Sequence, residues 1–120
     1  MIGSNTLIGI SDPTFISERV SYGEVPSEKV IRSTYPEKAD LLIDLIKCES
    51  GFDNNKCGDS GLSCGVLQYK QATFDYYCEG VRSNPYDQIR CAIKMIDAGI
   101  GETSAGWFNC WRTMNLWKYN

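Results

Sequence analysis

The chain has 120 residues, 42% hydrophobic and 22% charged, with a net charge of -3. That is the length of one compact domain and a balance that excludes wholesale disorder. That net charge gives no electrostatic footprint for nucleic acid, which calls for a basic face, and it does not favour anionic lipid. The longest apolar run is far short of the ~20 residues of a membrane span. Histidine is absent, which removes Ser-His-Asp and Cys-His catalysis and the usual His-bearing zinc sites. Neither a metal nor a cofactor is expected.

Residues 1–35 differ in character from the rest. Pro13 and Pro26 punctuate them, their apolar residues follow no sustained period, and every cysteine lies downstream. They read as an N-terminal arm or linker, with residues 36–120 as the domain. The start, MIGSNTLIGI, lacks the basic head and long apolar core of a signal peptide.

The first helix is predicted from Thr34-Tyr35-Pro36-Glu37. Thr34 can cap it, Pro36 fits the first turn and Glu37 completes a capping box. Leu42, Leu45 and Ile46 recur at helical spacing, and Gly51 supplies a stop. From Cys57 to Gly65 the chain is rich in Gly, Ser and Asp and reads as turns or a small irregular hairpin. A second helix is predicted over about 71–78. A third opens at Asn84-Pro85, carries Ile89, Ala92, Ile93 and Ile96 on one face, and ends at Gly99. A short final helix follows Gly106, with Trp107, Trp111 and Trp117 available for core or cleft. The fold class is mainly α, a small helical domain with an irregular or short hairpin loop, stapled by disulfides.

That last feature comes from six cysteines, Cys48, Cys57, Cys64, Cys78, Cys91 and Cys110. Scattered through a small domain with no C-x-x-C pair, they read as a disulfide framework and so as an oxidising compartment. Their spacing alone does not choose the pairing.

Glu49 breaks the pattern of its helix. It extends the stripe of Leu42, Leu45 and Ile46, so it faces the side of the core. Desolvation there disfavours the ionised form, and the negative end of the helix dipole acts in the same direction. A carboxylic acid kept protonated near neutral pH can protonate the leaving oxygen of a glycoside.

Cys48-Glu49-Ser50-Gly51, Gly65-Val66-Leu67-Gln68, Thr73-Phe74, Asp87-Gln88-Ile89 and Trp107-x-x-Cys110 form an ordered set. This set resembles the lysozyme-like superfamily, specifically the resuscitation-promoting factors and the soluble lytic transglycosylases, over about residues 36–112. The resemblance implies a lysozyme-like catalytic domain with Glu49 as general acid. It implies that Gln68 hydrogen-bonds the sugar, that Thr73 and Gln88 orient Glu49 or line the cleft, and that Trp107 stacks on a pyranose ring. Ser50 is left as structural. It also implies a Cys48–Cys110 bridge, after which the other cysteines fall most simply as Cys57–Cys64 and Cys78–Cys91. The Tyr-Asn-Ala-Gly segment usual in the transglycosylases is missing, and the Cys57–Cys64 loop is richer in cysteine than either family.

Most glycoside hydrolases need a second carboxylate. Asp53 and Asp59 are the candidates, and Asp59, in the turn-rich stretch, is the better placed. Without one, the substrate's own N-acetyl group can stabilise the cation while a sugar hydroxyl attacks internally. The expected function is therefore cleavage of the MurNAc-GlcNAc β-1,4 bond of peptidoglycan by a lytic transglycosylase. The alternatives are a muramidase using Asp59, and a non-catalytic module binding peptidoglycan or chitooligosaccharide. A disulfide-stapled interaction domain without a sugar cleft is a further rival. Tyr69, Tyr76 and Tyr77 are additional candidates for the cleft wall. The expected partner is the glycan strand, with no nucleic acid and no membrane. The expected state is a secreted or extracytoplasmic monomer, and phage or virion association also fits.

Overall fold

Residues 24–119 are described by the computed structural model. Ser27 opens the first helix, α1 (Glu28–Thr34), its hydroxyl oxygen accepting the Val30 N–H at 3.1 Å. This side-chain cap satisfies one of the orphan donors of a helix start. Glu28 lies in the first turn and Arg32 in the last, each at the dipole end that suits its charge. Ile31 is fully buried in the core. Within the stretch read as an arm or linker, residues 28–34 are therefore helical rather than extended, and Ile31 docks them on the core. One buried Ile in a short helix leaves no periodicity to read. Residues 1–23 lie outside the described residues.

Pro36 separates α1 from the next helix. A residue before proline is pushed out of the α region, and Tyr35 has φ -129 and ψ 59. Helix α2 (Ala39–Glu49) begins only after the turn that follows, with Lys38 as N-cap and no side-chain cap. The capping box expected from Thr34 and Glu37 does not form, because Thr34 is spent as the last residue of α1. In α2, Ala39, Leu41, Leu42, Ile43, Leu45 and Ile46 are all buried. That is wider than one apolar stripe, and it makes α2 the central helix. Gly51, with φ +64, stops it as expected, its N–H reaching the carbonyls of Ile46 and Lys47 at 3.1 Å.

A three-stranded antiparallel sheet follows, of β1 (Cys57–Gly58), β2 (Ser63–Cys64) and β3 (Tyr69–Lys70). Cys57 pairs with Cys64, and Ser63 with Lys70. Next come α3 (Gln71–Tyr77) and α4 (Pro85–Asp97), the latter capped by Asn84 accepting from Tyr86 N at 2.9 Å. A short α5 (Gly101–Ser104), α6 (Phe108–Thr113) and a 3-10 turn (Leu116–Tyr119) complete the described chain. Helix α5 is too short to show a period and was not anticipated. Helix α2 packs on α1, α6 and the 3-10 turn.

Three disulfides close the fold: Cys48–Cys110, Cys57–Cys64 and Cys78–Cys91. The first ties the end of α2 to α6, the second joins β1 to β2, and the third joins α3's end to α4. The core centres on three aromatics. Tyr69 meets Phe74 and Trp107 edge-on, each at 5.6 Å between ring centroids, an arrangement that ring quadrupoles favour. No described helix is long and apolar enough to cross a membrane.

Candidate active site

Glu49 is the last residue of α2, half-buried, and it lines a cleft of about 510 Å³. Gly58, Asp59, Ser63, Gln68, Lys70 and Thr73 form the sheet side of this cleft. Residues Thr103 to Gly106, with Asn109 and Cys110, form the α5–α6 side, and Lys56 also lines it. The Cys48–Cys110 bridge ties the Glu49 end of α2 to the α5–α6 side, since Cys48 directly precedes Glu49 and Cys110 itself borders the cleft.

The electrostatics follow from that placement. Burial pushes the Glu49 carboxyl up to about 7, the nearby Lys56 ammonium pulls it down, and the Asp59 carboxylate pushes it further up. Among the described residues nothing donates a hydrogen bond to the carboxyl group, so nothing specific rescues the ionised form. Lys56 Nζ instead donates to the Glu49 main-chain carbonyl at 3.2 Å. A carboxyl that keeps its proton to neutrality and borders a groove has the properties of a general acid.

Asp59 borders the same cleft. Its Oδ2 accepts from the Ser63 hydroxyl at 2.7 Å, and its backbone is left-handed at φ 51. Asp accepts this conformation readily in turns, and Ser60 beside it is left-handed too, at φ 58. Asp53 accepts from the Asn55 N–H at 2.9 Å in a local turn and does not border the cleft.

The other expected site residues divide. Thr73 lines the cleft. Gln68 does too, but its amide is committed to backbone: Oε1 accepts from Gly58 N at 2.9 Å, and Nε2 donates to the carbonyls of Lys56 and Gly65, both at 2.8 Å. It clamps the loop that carries Asp59, and both Nε2 protons are used. Gln88 is fully buried and does not border the cleft. Its Oε1 accepts from Leu67 N at 2.8 Å, and its Nε2 donates to the carbonyls of Cys64 and Arg82, both at 2.9 Å. Gly65 makes room for it, since a Cβ there would lie 2.3 Å from Gln88 Nε2. The expectation that Gln88 orients Glu49 or lines the cleft is corrected to a buried backbone clamp.

Trp107 is likewise corrected. It is 0% exposed, its indole N–H donates to the Leu67 carbonyl at 2.9 Å, and no face is open to a sugar. Tyr69 is a core residue, and Tyr76 and Tyr77 do not border the cleft. Ser50 is structural as read, its hydroxyl shared between the carbonyls of Val66 at 2.8 Å and Ile46 at 3.2 Å.

Lys56, Ser63 and Lys70 carry no sequence signal that places them in the cleft, whereas Asn109, in the Trp107-Phe108-Asn109 segment that can stand in for the missing Tyr-Asn-Ala-Gly, does line it. Each is a polar residue in or beside a short element, and only the folding of the sheet against α5 and α6 brings them together. Gly101 and Gly106, framing Thr103-Ser104, were the available signal for a polar turn there. Among the described residues no group of His, Cys, Asp and Glu side chains is arranged to hold a metal. No family model, curated protein or solved structure matches this chain.

Proposed function

We propose that this chain is a lysozyme-like enzyme that cleaves the MurNAc-GlcNAc β-1,4 bond of peptidoglycan as a lytic transglycosylase, with Glu49 as acid and then base. The observation that carries this reading is a half-buried carboxyl, holding its proton up to about 7, on a groove of about 510 Å³. Protonated Glu49 gives its proton to the glycosidic oxygen as the C1–O bond breaks. The neighbouring N-acetyl oxygen of the substrate shares its electron pair with C1. Ionised Glu49 then removes the proton of the C6 hydroxyl, whose oxygen closes on C1 as the N-acetyl oxygen takes back its electron pair, giving a 1,6-anhydro end. The proton returns to Glu49, and no water is consumed.

A second reading, hydrolysis by a muramidase, is favoured by one observation: Asp59 borders the same cleft and acts on Glu49 through its charge. There Asp59 would stabilise the cation or activate a water. The three disulfides, together with the absence of a described helix suited to a membrane, are compatible with an extracytoplasmic protein, and export is part of the proposal.

The test is mass spectrometry of muropeptides released by the parent, Glu49→Gln and Asp59→Asn. Anhydro ends from the parent, retained in Asp59→Asn and lost in Glu49→Gln, are expected. Reducing ends lost in Asp59→Asn would favour the muramidase. Release by Glu49→Gln at the parent's rate would refute Glu49 as the acid, and binding without release would leave a binding module.

A further inference from the structure

Lys70 is the last residue of β3 and the N-cap of α3. Strand alternation turns it opposite to Tyr69, which is buried in the core. Tyr69's carbonyl accepts from Arg82 at 3.0 Å, which anchors the strand. Lys70 itself is exposed and borders the cleft. Its cross-strand partner Ser63 also borders the cleft, and the Ser63 hydroxyl is used to hold Asp59.

The Lys70 ammonium has no ion-pair or hydrogen-bond partner among the described residues. Lys56, the other cation of the cleft, is held on the Glu49 carbonyl. Lys70 is thus the cleft cation left for a ligand. With Glu49 protonated, the charged side chains bordering the cleft are Lys56, Lys70 and Asp59, a positive excess on a chain whose net charge is -3. A neutral glycan offers an ammonium only dipolar oxygens, whereas a carboxylate offers it a charge-assisted hydrogen bond. The sugar that differs from N-acetylglucosamine by a carboxylate-bearing substituent is the muramoyl residue.

We infer that Lys70 is a specificity-determining residue that binds a carboxylate on the 3-O-lactyl substituent of a muramoyl sugar, selecting peptidoglycan over chitin-type glycan. The inference rests on the functional reading above. The carboxylate has two sources, the free lactyl group of a stripped strand or the peptide attached to it.

The experiment compares parent, Lys70→Gln and Lys70→Arg on three substrates: peptide-bearing soluble strands, strands stripped of peptide, and chitohexaose. Where chitohexaose is not cleaved, its inhibition constant replaces KM. Lys70→Gln should raise KM on at least one muramoyl substrate by about fivefold, the scale of one exposed ion pair, at unchanged kcat. Chitohexaose should be unaffected, Lys70→Arg should restore KM, and added salt should shrink the difference. The muramoyl substrate that responds identifies the source of the carboxylate. Unchanged KM on both, or an equal rise on all three, overturns the inference while the parent's cleavage stands. A parent that cleaves none of them overturns the functional reading and this inference with it.

Discussion

Lys56 donates from its Nζ to the main-chain carbonyl oxygen of Glu49 at 3.2 Å. That bond holds an ammonium beside the carboxyl it lowers, while Asp59 opposes it from the same cleft. The proton of Glu49 is therefore set by burial first and by two opposed charges second. Lys56→Met should move the alkaline limb of the pH–rate profile upward, and Asp59→Asn should move it downward. On the proposed mechanism, activity of the parent should fall as pH rises through about 7, because Glu49 would have to carry its proton to act as the acid. Profiles that coincide for the three proteins would show that these charges do not act on the Glu49 proton.

The same carboxyl makes a prediction independent of catalysis. Its folded pKa lies above its unfolded value, so the stability it contributes is full below about 4.5 and is lost as pH rises toward 7. Glutamine mimics the protonated form. Glu49→Gln should match the parent's stability at pH 4 and exceed it at pH 8 by about 1–2 kcal/mol, after discounting for partial exposure. Urea unfolding at the two pH values measures this, and equal gaps at both would show that Glu49 is not desolvated.

Gln88→Leu should destabilise the fold by about 3 kcal/mol, because the Leu67 N–H and the carbonyls of Cys64 and Arg82 lose a partner behind the sheet. Chemical denaturation reads the loss. The affinity of the folded variant for glycan should be unchanged, since Gln88 does not border the cleft.

Trp107→Phe should cost about 2 kcal/mol through the lost bond to the Leu67 carbonyl and the reduced volume. Titration with chitooligosaccharide should find no specific loss of affinity. A selective loss with stability intact would restore Trp107 to the cleft.

Removing Cys48–Cys110 by paired serine substitutions should cost about 3–4 kcal/mol, and removing Cys57–Cys64 less, because the loops closed span 62 and 7 residues. Thermal unfolding of the two double variants gives the order. The first should also weaken activity at temperatures where the domain stays folded, since that bridge joins α2 to the α6 side of the cleft.

Local chemistry was legible wherever it is self-contained. Asn84-Pro85 starts α4, and Gly51 stops α2, because caps and left-handed stops depend only on near neighbours. Thr34 misled for the same reason. Its capping signature is genuine locally, but Pro36 follows a helix already capped by Ser27, and a residue cannot end one helix and begin the next across that turn.

The residue types around the site were visible in the sequence, and so was Glu49, because a carboxylate continuing an apolar stripe stands out against helical period. Which polar residues face the groove was not. Gln68 and Gln88 carry the same amide, yet one borders the cleft and the other is sealed behind the sheet; Trp107 is enclosed and Lys70 is left open. Composition, spacing and caps are properties of neighbours along the chain, so the sequence by itself determined a mainly helical, disulfide-bridged domain with an anomalous glutamate. The facing of side chains is settled by contacts between distant segments, and only the tertiary structure decided which groups surround that carboxyl and how far water reaches it.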